Sequence, residues 1–465
     1  LPNFAYIHII IYIMHNINIH INRLGPIEGP VTIGLKPFLI FSGPSGVGKS
    51  YLSLLVHYVY RIITGEGLRE VLEVHQIDYE RLKNELPDDT NLLYRVSTGE
   101  LVKWINECGI DYLRQTLGDP NLKADFRIEF TGLPENFSFT LKRGTMSLGS
   151  GEVIDHIETL NLIELDDPIN LPTNGVAWKN LPFRFLIAHF LRRLYNIDIT
   201  QTFLMPPSRG SLLALPESAR AMISGMYREF INDLAILKSI SPAQPRSKES
   251  NEEIEQKVQS TLKESILHGD ISIVDDEIVY KLAEGLSIPI TAAASSIKEL
   301  TPFAIMLQKG YLGQCSTLFE EPESHLHPEL QVKVAELLCY SINAGAHLQI
   351  TTHSDYLLRQ INDLARLGIM RGIMNDTDRF AEYCSQLGFD PEAALPTGSI
   401  GAYYIKPTRA GRSMVEEQDT SMGVPFDTFK TVIDETMQRS AKVYDDLEDI
   451  IESHRDPDND EQDNN

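Results

Sequence analysis

Phe38-Leu-Ile-Phe-Ser42, Gly43-Pro-Ser-Gly-Val-Gly-Lys-Ser50 and the apolar run Tyr51-Leu-Ser-Leu-Leu-Val56 together decide the fold class. The five uncharged residues 38–42 read as a buried strand, and 50–63 read as an apolar-rich helix. Between them, GxxxxGK[ST] is a phosphate-binding loop. Its glycines let the backbone curl until successive N–H groups point at one β-phosphate. Lys49 then reaches the β- and γ-phosphates, and the Ser50 hydroxyl can hold Mg²⁺. Gly43, Pro44, Ser45, Gly46, Val47, Gly48, Lys49 and Ser50 are therefore the expected nucleotide contacts, with ATP and Mg²⁺ as the implied ligands.

Working outward, the alternation Ile17-Asn-Ile-His-Ile-Asn22 reads as a half-buried strand, followed by Gly-Pro turns and a strand at 31–34. Residues 66–125 look mixed and mostly helical, and 126–130 and 137–142 suggest a small β element. Helical patterns cover 182–195, 216–239 and 251–267, none of which sustains heptads, and 241–253 reads as a surface loop. Beyond Asp270 the pattern gives strands, a helix at 296–309, a strand at 316–319, a helix at 328–343, strands at 347–351 and 400–406, and a last helix at 426–453. The expected organisation is an N-terminal extension (1–16), one lobe (17–125), a mostly helical insertion (126–290), a second lobe (291–440) and an acidic tail (441–465).

Composition narrows the setting. With 42% hydrophobic residues, the 465-residue chain can bury a sizeable core. The four cysteines, Cys108, Cys315, Cys339 and Cys384, form no CxxC pair, which fits a reducing cytoplasm better than a disulfide framework. The apolar stretch 4–13 is broken by histidines and asparagines before it reaches membrane-spanning length, so no membrane association is expected. The net charge is −24, and ten acidic residues against one arginine fall between Asp445 and Asn465. Such a surface weakens nonspecific nucleic-acid binding and leaves Lys406, Arg409 and Arg412 as the local basic patch available for it.

A phosphate loop needs acidic partners at the end of a neighbouring strand. Ser316-Thr-Leu-Phe-Glu-Glu-Pro-Glu323 supplies them: Glu320 to orient Mg²⁺ and Glu321 to polarise the attacking water as general base. Leu348-Gln-Ile-Thr-Thr ends at His353-Ser354, where a histidine can meet a γ-phosphate oxygen or the water. The spacing of His325 and His327 with Glu321 and Glu323 matches neither HExxH nor a zinc site. For Arg209, in Pro206-Pro-Ser-Arg-Gly-Ser211, two roles stay open: an arginine near the phosphates, or a structural pin for the helical segment.

Taken together, Gly43–Ser50, Pro206–Ser211, Ala294-Ser-Ser-Ile-Lys-Glu-Leu300, Leu318-Phe-Glu-Glu-Pro-Glu-Ser-His-Leu-His-Pro328 and Thr351-Thr-His-Ser354 resemble the ABC-type ATPase head of SMC and RecF proteins. The nearest resemblance is to the OLD-like ATPases of bacterial phage-defence systems, of the Septu, PARIS or retron-associated kind, and it spans roughly residues 17–440. It implies an α/β head built from both ends of the chain and at least a dimer, in which Ser296 contacts the nucleotide of a second subunit. The chain departs from the family at Ser295-Ser296-Ile297, where Ser-Ser-Gly is usual, and this implies slow or partner-gated turnover. No Toprim carboxylate set follows a strand after His353, so any nuclease or toxin effector is expected on a separate polypeptide. The trigger would be a nucleic acid or a phage protein. Two other readings stay open: an SMC/RecF-like DNA-repair ATPase, and a scaffold stabilised by ATP with little turnover.

Overall fold

The computed structural model describes residues 16–75, 92–147, 153–162, 169–171, 181–242, 249–374, 376–425 and 427–453. The alternating isoleucines form strand β1 (Ile17–Leu24), which buries Ile17, Ile19, Ile21 and Leu24 on one face. It pairs antiparallel with β2 (Ile27–Gly34) and, on its other edge, with β5 (Ala124–Phe130). Strand β3 (Phe38–Ser42) is buried along its whole length, as an uncharged run inside a parallel sheet should be. β4 (Leu92–Ser97), β6 (Asn136–Ser147), β7 (Val153–Leu162) and β8 (Ile169–Leu171) form a separate four-stranded sheet.

The remaining strands are β9 (Gln201–Met205), β10 (Gly269–Val274), β11 (Glu277–Leu282), β12 (Ser287–Pro289), β13 (Cys315–Glu320), β14 (His347–Thr352), β15 (Ile400–Pro407) and β16 (Ser413–Gln418). β10, β11 and β12 make a three-stranded sheet. The main sheet has nine strands in the order β5-β1-β2-β16-β15-β3-β14-β13-β9. From β15 to β9 all neighbours are parallel. The β5-β1-β2 edge is antiparallel. The helix Lys49–Thr64 packs on the parallel half, against β9, β13 and β14, through Leu52, Leu55, Val56, Val59 and Ile63.

The fold class is the α/β architecture expected from the sequence, with the central sheet drawing strands from both ends of the chain. The segment 126–290, expected as a mostly helical insertion, is corrected in two respects: its described residues carry strands β6 to β12 beside the helices, and it cannot be lifted out of the sheet. β5 pairs with β1, and β9 forms the outer parallel edge beside β13. β9 escaped the pattern reading because five residues with four buried in a row carry no alternation.

The helical pattern 216–239 breaks at Gly225 (φ 64), where a Cβ would lie 2.7 Å from the Thr116 carbonyl oxygen; the long helix begins at Met226. The helices Asp355–Met374 and Thr377–Gln386, and strand β16, were also not anticipated. Residues 1–15 and 454–465, most of the expected extension and about half of the acidic tail, lie outside the described residues. The described residues up to Gly423 form one compact unit, and those from Val424 onward a second, built on the helix Asp427–Ser453. Among the described residues no helix is long and apolar enough to cross a membrane.

Candidate functional site

The site grows from the C-terminal ends of three adjacent parallel strands. β3 ends at Ser42, opposite Thr352 on β14, and Thr351 of β14 stands opposite Glu320 on β13. In parallel sheets the crevice beyond the carboxyl ends is where loops converge and ligands bind. Here it receives the Gly43–Gly48 loop, Glu320 and Glu321, and His353.

Three glycines shape the loop, at φ 138 for Gly43, 77 for Gly46 and 103 for Gly48. Gly48 caps the helix Lys49–Thr64 without any side-chain acceptor, so the first helical N–H groups carry no side-chain cap. Pro44, Ser45 and Gly46 are exposed, whereas Val47 and Lys49 are buried. Lys49 Nζ turns inward and donates to the carbonyl oxygens of Gly43 at 3.1 Å and Pro44 at 2.9 Å. Burial lowers its pKa, opposed by the neighbouring Glu321, Glu320 and Glu323.

Glu320, only 2% exposed, ends β13. Its Oε1 accepts from Ser53 Oγ at 3.2 Å, and its carboxylate is also hydrogen-bonded by Ser50. Burial raises its pKa against these two hydroxyls. A carboxylate and a serine hydroxyl meeting at the lysine of a phosphate loop form a hard-oxygen donor set that fits Mg²⁺. Ser53, three residues along the helix from Ser50, was not singled out from the sequence. Its i+3 position on the same helix face is the signal that could have found it.

Glu321 takes a positive φ of 46, unusual for a residue with a Cβ. Its N–H donates to the Thr351 carbonyl oxygen at 3.0 Å, and Ser324 Oγ donates to its Oε2 at 3.1 Å. His353 Nε2 lies 4.0 Å from Glu321 Oε1, and both side chains are about one-third exposed, at 33% and 37%. Burial, then Lys49, lower the His353 pKa, so the ring is neutral near pH 7. Glu323 is buried like Glu320. It accepts from Thr352 Oγ1 at 2.8 Å and from the His353 N–H at 2.7 Å, which fixes the turn after β14. His325 and His327 are exposed and lie outside this cluster.

Of the two roles open for Arg209, the structure gives it that of a pin. It is 0% exposed and stacks on the Phe319 ring at 4.4 Å. It donates to the carbonyl oxygens of Pro206 at 3.0 Å, Glu299 at 2.8 Å and Glu320 at 2.8 Å. Burial pushes its pKa down to about 10, which leaves it charged at neutral pH. Ser296 stands apart from the loop. It lies half-buried in the first turn of the helix Ser295–Gln308, next to the equally half-buried Ile297. In the basic patch, Lys406 pairs with Glu416 at 2.7 Å and Arg412 with Glu28 at 3.5 Å, so two of its three cations are already neutralised.

Comparison with known proteins agrees with part of this picture. A family model described as an AAA ATPase domain matches residues 193–358, the stretch that contains Arg209, Ser296, Glu320, Glu321 and His353. Comparison with curated proteins gives no match. Among solved structures, the chain is similar to an SmcHead bound to the C-winged helix domain of ScpA, at 12% identity and a TM-score of 0.35, with 86% of this chain and 96% of that one covered. It is also similar to the SMC head domain from Thermotoga maritima, at 10% identity and a TM-score of 0.32, with coverage of 87% and 100%. The Smc head domain derived from Pyrococcus furiosus, with an extended coiled coil and bound to the C-terminal domain of ScpA, gives 12% identity, a TM-score of 0.34 and coverage of 91% and 100%. These scores are too low to carry more than a general likeness.

Proposed function

We propose that this chain binds ATP and hydrolyses it to ADP and phosphate, with Lys49, Ser50, Glu320, Glu321 and His353 as the working residues of one half-site. The observation that carries the reading is the convergence of these five residues at the ends of three neighbouring parallel strands. Lys49 would leave the loop carbonyls of Gly43 and Pro44 for the β- and γ-phosphates, exchanging neutral acceptors for charged ones. Ser50 and Glu320 would hold Mg²⁺, which neutralises phosphate charge. Glu321 takes the proton of a water whose oxygen attacks the γ-phosphorus, as the bond to the bridging oxygen of ADP breaks. Neutral His353 orients that water or a γ-oxygen.

Ser296 of a second copy completes the site, so the ATP-bound form is at least a dimer. In Lys49→Ala, ATP binding measured by calorimetry should be lost. In Glu321→Gln, binding should persist while phosphate release falls at least 100-fold. Equal turnover in the parent and Glu321→Gln would sink the reading.

By the resemblance of its motifs, the chain serves in the cytoplasm as the sensing or gating ATPase of a bacterial anti-phage system, holding a separate nuclease or toxin until triggered. A co-purifying nuclease whose activity changes in Lys49→Ala is the result this expects. DNA-stimulated hydrolysis with a steep salt dependence would favour the SMC/RecF-like alternative instead; the ion pairs of Lys406 and Arg412 count against it. Ile297 favours a second reading, a scaffold that binds ATP with little turnover. It would be carried by retained assembly in Glu321→Gln together with no measurable hydrolysis in the parent.

A further inference from the structure

We propose that Arg209 and Glu299 form a positioning bridge through which the first turn of the helix Ser295–Gln308 sets the placement of Glu321. The inference rests on the half-site reading above and adds to it a route by which docking of a second copy at Ser296 reaches the residue that handles water.

The bridge is traced by hydrogen bonds. The Arg209 guanidinium spends its donors on main-chain oxygens of three segments. Nε bonds Glu299 O at 2.8 Å, Nη1 bonds Pro206 O and Glu320 O, and Nη2 reaches Glu321 O at 3.5 Å. Glu299, 2% exposed, answers with its carboxylate. Oε2 lies 3.5 Å from Arg209 Nε, and Oε1 accepts from the Gly210 N–H at 3.1 Å. A planar fork can serve such scattered acceptors; the tetrahedral ammonium of a lysine cannot.

Two local features make the helix end responsive to this grip. Pro302, inside the helix Ser295–Gln308, supplies no N–H for the Lys298 carbonyl, so the first turn is tied less firmly to the body of its helix. Gly210 brings the Arg209 segment against that turn: a Cβ there would lie 2.8 Å from Lys298 Cβ and 2.9 Å from Glu299 Oε1. At the other end, Glu321 sits at φ 46, clamped between Thr351, which accepts its N–H, and Arg209, which approaches its carbonyl. A residue in that conformation stays there only while its surroundings hold it. A shift of Glu299 therefore passes through one rigid guanidinium to the backbone that aims the Glu321 carboxylate. Arg209 touches no substrate in this scheme; it is a positioning residue.

The test measures ATP affinity, ATP-dependent self-association and steady-state hydrolysis for the full chain and for Arg209→Lys, Glu299→Gln and the double variant. The expected result is a split. ATP Kd and association stay within twofold of the parent, while kcat falls about tenfold in each single variant. The double variant falls by the same tenfold, because both changes break one bridge. A hundredfold loss in the double variant would mean two independent roles and overturn the proposal. So would Arg209→Lys hydrolysing within twofold of the parent, or losing affinity in proportion to kcat as a mere folding defect would. If Arg209→Lys does not fold, Glu299→Gln, which keeps its shape and its acceptor for Gly210, carries the same split. A parent that binds no ATP at all overturns the nucleotide reading and the bridge with it. A normal parent with normal variants overturns the bridge alone.

Discussion

Replacing Gly43 and Gly46 separately by alanine asks what each loop glycine does before any nucleotide arrives. Both have positive φ, so alanine carries a strain of about 1–2 kcal/mol at either position. Only Gly43 also meets a wall. Its Cβ would stand 2.1 Å from Ile405 O and 3.1 Å from Ile405 C on β15. The obstacle is backbone in a ladder that pairs Phe38–Ser42 with Ile400–Tyr404, so no rotamer change relieves it. Forcing the strands apart adds about 1–3 kcal/mol, the usual cost of overpacking. Around Gly46 nothing lies within 4 Å. The expected totals are about 2–5 kcal/mol for Gly43→Ala and about 1–2 kcal/mol for Gly46→Ala. On the scale of about 2–4 °C per kcal/mol that holds for domains of about 150–250 residues, Tm should fall by up to about 4–20 °C in the first and up to about 2–8 °C in the second. Thermal unfolding of the nucleotide-free chain, followed by circular dichroism, measures this. Equal shifts in the two variants, or a Gly43→Ala shift under 2 °C, would refute the packing argument.

Three further outcomes follow from the site. Glu320 has a raised pKa, so in the folded chain its charge costs stability once the pH rises above the ordinary glutamate value of 4.5. Glu320→Gln should therefore melt above the parent at pH 7.5, with the gap narrowing as the pH is lowered toward 5, while Mg²⁺-dependent hydrolysis is lost; a lower Tm at pH 7.5 would contradict this. His353 has a lowered pKa, so protonation enters only below the usual imidazole value of 6.5. Turnover in the parent should stay flat from pH 8 to 6.5 and then decline, and His353→Gln should reduce kcat about 10- to 100-fold across that plateau, read by phosphate release. Ile297→Gly, which restores the usual glycine in the first turn of Ser295–Gln308, should raise turnover severalfold at a helix cost of about 1 kcal/mol; unchanged turnover would detach Ile297 from the slow rate.

The part of the site that could be read from the sequence is the part whose signals are local. Gly43–Ser50 announces itself because strand, glycine turn and helix follow one another within a few residues. Glu320–Glu321 and His353 are legible because each follows a short strand-forming run, and the structure places those runs on adjacent strands. The acidic residue count could not reveal that Arg412 is paired, since Glu28 is hundreds of residues from it. The Arg209–Glu299 contact spans 90 residues and leaves no periodic trace, and a motif reading alone left the arginine with two roles. Strand β9 was hidden because a five-residue run with four buried residues in a row resembles any short apolar segment. Its absence made the middle of the chain look like a detachable insertion.

The parallel core of the sheet sets a timetable for the chain's birth. β3, complete once Ser42 is made, finds its two neighbours only in His347–Thr352 and Ile400–Pro407. At about 5–20 residues per second, roughly 15–60 s of synthesis separate β3 from β14. During that interval an uncharged strand and the apolar helix behind it have no parallel partner to cover them. Contacts between such distant segments form slowly and leave sticky intermediates meanwhile. Yield of the folded chain should thus depend on chaperone supply and translation rate more than on the stability of the finished fold. The phosphate loop, written near the start, takes its shape among the last features of the molecule.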